Sequence, residues 1–267
     1  MNELGELMEQ SWSSMEELCS QLDPDDWARP TDCPGWSVKD QLAHICALES
    51  RALGRPQPSA GPKRTEHTRN ELGELNEGDL EARRSQSPEE LLAEYRDVTA
   101  ERAKVLASWT DEDWTQEGQG VLGAAPRDQI IRIRIVDVFT HEQDIRVATG
   151  RPGHMTGGVA RLVYEQMART LGFVLVKRAR ANEGQTAVFE IGRPGETFAF
   201  GVVDGRGRRL DELPADPTVR LSMDAETFLR LAGGRWSPER VEQEGRVRIA
   251  GDHDLGRQIL AGLNVTP

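Results

Sequence analysis

The sequence predicts a two-part architecture: a mainly α, up-down four-helix bundle at the N-terminus, followed by a smaller C-terminal α+β domain. Three observations carry this. Four long segments before residue 150 read as helices, the first with its apolar side chains mostly at steps of three and four, the period of a helix with one buried face. After about residue 156, short runs rich in β-branched and aromatic residues alternate with shorter helical ones. The charge divides at the same place. Residues 1–150 hold 16 basic and 30 acidic side chains, net −14, whereas residues 151–267 hold 17 and 15, net +2. A chain of 267 residues accommodates two domains, drawn here at 1–152 and 153–267.

The first helix, residues 3–22, carries Leu4, Leu7, Met8, Trp12, Met15, Leu18 and Leu22 and is ended by Asp23-Pro24. A turn-rich stretch, Arg29 to Trp36, leads to Ser37, which caps a second helix with Asp40 at the third helical position. Residues 56–87 are polar, rich at first in Pro and Gly, and read as a long loop or lid with a short helix near 69–75. Ser87-Pro88-Glu89-Glu90 is a strong helix start, and that helix runs to Trp109. After a glycine-rich break at 118–123, residues 127–149 form the fourth helix, stopped by Gly150. Beyond it come a helix at 159–180, strands at 186–191, 196–202 and 218–223, a helix capped by Asp224, and a last helix at 254–263.

Composition excludes several classes of function. The chain nets −12, and an acidic surface repels phosphate backbones, so nucleic acid is not an expected partner. No apolar run approaches the roughly 20 residues that span a bilayer, so no membrane is expected either. The opening MNELGELMEQ lacks the basic and apolar regions of a secretory signal. Three cysteines, Cys19, Cys33 and Cys46, are an odd number without the spacing of a zinc ribbon, which fits small buried thiols in a reducing cytoplasm. A monomer or a homodimer is expected. Nucleophile-elbow, P-loop and dinucleotide-binding motifs are absent.

Five histidines are few enough to weigh singly. Asp137 and His141 are four residues apart on the fourth helix, so both can face one ion. A third ligand from a facing helix would complete the carboxylate and two imidazoles of an open, catalytic zinc site. Asp144, one turn beyond His141, can orient that imidazole from outside the ligand set. By spacing alone such a pair is more often solvated or hydrogen-bonded than metal-binding. What distinguishes His141 and His44 is that both lie in the most apolar helices, where an unpaired imidazole is costly to bury. His67 sits in the polar loop, His154 follows a turn, and His253 lies in a stretch explained by helix capping.

Two blocks resemble a known family. Trp27 and Thr31-Asp32-Cys33-Pro34-Gly35-Trp36-Ser37-Val38-Lys39-Asp40-Gln41-Leu42-Ala43-His44 is similar to the first motif of the mycothiol-dependent maleylpyruvate isomerase family, within the DinB/YfiT-like superfamily of metal-binding bundles. Arg134 to Arg146 is similar to its second motif. The resemblance implies a divalent metal, usually zinc, held by His44, Asp137 and His141. It further implies a C-terminal domain of sterol-carrier type, in which Leu231-Ala232-Gly233-Gly234-Arg235 matches the stretch bearing a catalytic arginine, here Arg235. Without the resemblance, Arg235 reads as a surface residue after a Gly-Gly helix stop. One departure stands out: the isomerase has Glu where this chain has the shorter Asp137.

The implied function is that of a cytoplasmic metalloenzyme with mycothiol or a similar low-molecular-weight thiol as cosubstrate. It would isomerise a small electrophile or transfer sulfur to it, as in detoxification. Two other readings share the superfamily: a metal- or lipid-binding module without catalysis, and a stress-associated regulatory partner. Three protein ligands favour the enzyme, because a structural site would be closed by a fourth.

Overall fold

A computed structural model describes residues 2–56, 58, 60–121, 123–192 and 196–266. Positions 57 and 59 of the expected long loop, and 122 of the expected glycine-rich break, lie outside the described residues. The chain divides into two compact units, Met1–His154 and Met155–Pro267.

The first unit is the helical bundle. Its long helices are α1 (Glu3–Ser20), α2 (Val38–Ala52), α4 (Pro88–Ser108) and α6 (Arg127–Thr149), with α3 (Glu71–Glu81) and α5 (Asp111–Thr115) as shorter additions. Both α1 and α2 pack against α4 and α6, so the α1–α2 and α4–α6 connections span the diagonals of the bundle. The core is formed by Met8, Trp12, Met15, Leu42, Ile45, Tyr95, Val98, Ile135 and Phe139. Tyr95 buries its ring and donates its hydroxyl proton to the Trp12 carbonyl at 3.0 Å, because a buried polar group must find a partner.

Helix boundaries follow the capping chemistry. Ser37 accepts from the Asp40 amide while the Asp40 carboxylate accepts from Ser37, and Ser87 with Glu90 repeats the device at α4. Gly150 ends α6 in the left-handed conformation, with φ 66°.

Two stretches differ from the sequence expectation. The loop at 56–87 contains α3, longer than the short helix expected there. Its buried side chains are Glu77, Asp79 and Leu80, so it is fixed by charge more than by apolar surface and shows no hydrophobic period. The glycine-rich break forms a hairpin of β1 (Glu117–Gly120) and β2 (Gly123–Pro126).

The second unit is the α+β domain. A five-stranded sheet has the order β5 (Arg206–Arg209), β4 (Glu196–Val203), β3 (Thr186–Ile191), β6 (Val219–Met223), β7 (Val247–Gly251). Among the described residues only the β3–β6 pair of this sheet is parallel. Helices α7 (Gly157–Ala168), α8 (Leu171–Phe173), α9 (Ala225–Ala232), α10 (Pro238–Gln243) and α11 (His253–Gly262) complete it. The helix expected over 159–180 is broken: α7 stops at Ala168, and a π-helical turn at Val174–Arg178 follows α8. A Cβ on Gly207 would stand 1.9 Å from the Gly172 carbonyl oxygen, so backbone meets backbone there and only glycine fits. The last helix begins one residue earlier than expected, with Asp252 as its cap. Among the described residues no helix is long and apolar enough to cross a membrane.

Candidate metal centre

Helices α2 and α6 pack side by side, and each sets polar residues into an otherwise apolar buried face. On α2 these are Gln41, His44 and Glu49; on α6 they are Arg134, Asp137, His141 and Asp144, spaced so that one side of the helix carries all four. His44 Nε2 lies 3.4 Å from Asp137 Oδ2, and His141 Nε2 lies 3.4 Å from Asp137 Oδ1. One donor atom from each of the three falls within 4.8 Å of the others. The imidazoles are 6% and 8% exposed and the carboxylate 28%, so the cluster opens on the side of Asp137.

The hydrogen-bond network determines which way each donor faces. Thr31 Oγ1 donates to the Trp36 carbonyl at 2.9 Å, which leaves its oxygen to accept from Gln41 Nε2 at 2.7 Å. The Gln41 amide is thereby oriented, and its Oε1 accepts from His141 Nδ1 at 2.5 Å. With Nδ1 donating to Gln41, Nε2 is the ring nitrogen that faces Asp137 Oδ1. Burial pulls His44 down to about 4, against the opposing attraction of Asp137, so this ring is neutral at pH 7. Burial alone would push the Asp137 carboxyl up. Arg134, His44 and His141 outweigh it and hold the group well below its ordinary range, as a carboxylate. Two imidazole nitrogens and a carboxylate that converge in this way fit a divalent cation, and two imidazoles with one carboxylate are a zinc donor set.

Around the cluster lie residues that spacing did not single out. Arg134 Nη1 donates to Asp137 Oδ2 at 2.6 Å, and its Nη2 donates to Glu49 Oε1 at 2.8 Å. Glu49 is fully buried and also accepts from Arg102 Nε at 3.0 Å. Trp36 lies against both imidazoles, its ring 5.1 Å from His44 and 5.6 Å from His141, near-parallel to the latter. The Trp36 indole N–H donates to Glu77 Oε1 at 2.7 Å, which ties α3 to the cluster. A charged residue deep in an isoleucine-rich helix, as Arg134 is, was the signal available in the sequence.

His44, Asp137 and His141 are thus brought together. Asp144 Oδ2 stands 3.7 Å from His141 Nδ1, beyond hydrogen-bond length, and Gln41 makes the bond that spacing offered to Asp144. Arg235 belongs to the second unit, where its Nη1 donates to the Gly233 carbonyl at 2.8 Å just after α9. His67 pairs with Glu77 at 2.8 Å and His154 with Glu142 at 2.8 Å. No disulfide links the cysteines among the described residues, and burial pushes the Cys19 and Cys46 thiols up, away from the thiolate that a nucleophile or ligand needs. Cys33 is half-buried.

A helical bundle with an imidazole–carboxylate–imidazole cluster between two helices, followed by an α+β unit with a mixed sheet, defines the class. The chain belongs to the mycothiol maleylpyruvate isomerase N-terminal domain family, whose model matches residues 8–146. Residues 175–262 match the SCP-2 sterol transfer family. The crystal structure of the mycothiol-dependent maleylpyruvate isomerase has the same fold, with a TM-score of 0.57 and 17% identity over 93% of this chain and 92% of that one. A mutant of that enzyme superposes with a TM-score of 0.56 and 16% identity over the same shares. An uncharacterised protein of Mycobacterium tuberculosis is 25% identical over 228 residues, 83% of this chain and 80% of that protein.

Proposed function

We propose that this chain is a divalent-metal-dependent enzyme that uses a low-molecular-weight thiol, mycothiol or one like it, to isomerise a small electrophile or to transfer sulfur to it. Family membership supports the thiol and the isomerase class. The metal reading rests on one observation: three donors, two imidazoles and one carboxylate, converge at a half-open position, with no fourth ligand in the group among the described residues. Zinc is the ion that best suits this donor set.

A divalent ion held by His44, Asp137 and His141 supplies Lewis acidity that keeps a thiol ionised at neutral pH. The chain's own residues do the rest. Gln41 holds His141 in the tautomer that presents Nε2. Trp36 covers the imidazole faces and excludes water from that side. Asp137, the most exposed of the three, borders the side from which thiol and electrophile approach. Arg235 is assigned to an anionic group of the substrate on the strength of the Leu231–Arg235 sequence match alone.

The test is elemental analysis of the purified protein with thiol titration of its cobalt form. One metal per chain, lost in His44→Ala and His141→Ala, and a visible spectrum that changes on adding mycothiol support the reading. Unchanged metal content in both variants refutes the ligand assignment. Metal bound without any spectral response to thiols favours a non-catalytic metal- or lipid-binding module.

A further inference from the structure

Asp137 meets two demands at once. Its Oδ1 faces His141 Nε2, and its Oδ2 faces His44 Nε2 while also accepting from Arg134 Nη1 at 2.6 Å. We infer that Arg134 is a positioning residue that commits Oδ2 of Asp137 to its guanidinium and so presents Oδ1 as the single carboxylate donor to the metal. This rests on the metal reading above and deepens it.

Arg134 cannot swing away from this task. Its Nε and Nη2 donate to Glu49 Oε1 at 3.1 and 2.8 Å. Glu49 in turn is locked through Oε2 by Arg102. Both guanidiniums have side chains only 6% exposed and the Glu49 carboxylate has none, so no water stands ready to replace either partner. A guanidinium is planar and its donors are rigidly forked, which makes one edge on Glu49 and one N–H on Asp137 a defined geometry.

Two consequences follow for the donor set. A carboxylate that already accepts a charge-assisted hydrogen bond has less electron density to give, and one of its oxygens is engaged. The charges of Asp137, Arg134, Glu49 and Arg102 also cancel, so the charge of a bound divalent ion is left without compensation from this cluster. That favours anionic partners, a thiolate first among them. Arg134 therefore lowers the hold on the metal while keeping more of its surroundings free for exogenous ligands.

The experiment uses the full-length protein loaded with cobalt, read by visible absorption and by competition with a chelator. Arg134→Gln frees Oδ2. The expected result is weaker, shifted cobalt bands, as a second carboxylate oxygen joins, and cobalt held about tenfold more tightly, because a positive charge beside the ion is gone. Arg134→Met, which removes every donor to Asp137 and leaves Glu49 paired with Arg102, is expected to change the spectrum in the same way. An unchanged spectrum and affinity in both variants, or looser cobalt binding with unchanged bands, overturns the inference and leaves the metal reading standing. Failure of the wild-type protein to bind cobalt overturns the metal reading and this inference with it.

Discussion

Gln41 Oε1 accepts the Nδ1 proton of His141 at 2.5 Å, across 100 positions of sequence, and so fixes which nitrogen of that imidazole faces Asp137. Helices α2 and α6 meet through this bond as well as through their apolar faces. Outer partners of this kind set the tautomer and the orientation of a ligating histidine.

Replacing Gln41 with Leu removes the acceptor and leaves His141 free to change tautomer. Metal affinity, measured by chelator competition, is expected to fall by roughly 10- to 100-fold. Gln41→Glu keeps an acceptor for Nδ1–H and is expected to retain most of it. Equal losses in the two variants would contradict an orienting role.

Glu49 neutralises two buried guanidiniums, Arg102 and Arg134. Glu49→Ala strands both, and breaking a buried pair from one side costs roughly 3–5 kcal/mol. Urea denaturation should show a loss of this size, and a triple variant with Met at positions 49, 102 and 134 should regain much of it. A loss below about 1 kcal/mol in the single variant would mean that water reaches the arginines.

Acidification should destabilise the metal-free protein in a window set by His44. Its ordinary value of 6.5 applies to the unfolded chain, and burial lowers it to about 4 in the fold. Between those values the unfolded chain binds a proton that the folded protein refuses, so stability falls as the pH drops from 6.5 toward 4. The contribution is on the order of 3 kcal/mol. Denaturation of the chelator-treated protein should show this slope, and His44→Gln should flatten it. A slope that survives the substitution would place the responsible proton elsewhere.

Glu77 anchors the Trp36 indole N–H at 2.7 Å and His67 at 2.8 Å, and its carboxylate is 1% exposed. Glu77→Leu leaves a buried indole donor unsatisfied, a loss of about 1–3 kcal/mol. Amide exchange should also show α3 opening more readily than α2. Unchanged protection of α3 would mean that its other ion pairs, such as Arg51–Asp79, suffice to hold it.

Much of this protein can be read without its tertiary structure. Helix starts at Ser37 and Ser87, the stop at Gly150, the four long amphipathic helices and the switch to strands after them are local matters, set by period, caps and turn residues. The Asp137–His141 pair is equally local, since one helical turn brings the two together. The polar α3 escaped because its buried face is acidic, and hydrophobic period cannot report a helix held by charge. The π-helical turn escaped because the apolar run over 159–180 reads the same whether the helix continues or breaks.

Other features were decided only when α2 and α6 packed side by side. The placing of His44 beside Asp137, the acceptor role of Gln41, and the chain of charges from Asp137 through Arg134 and Glu49 to Arg102 all run between helices. A single helix determines which residues share a face. Which face it meets, and so which lone pairs converge and which charges are matched, is a property of the packed bundle, where burial gives each unpaired polar group a cost that its own helix cannot settle.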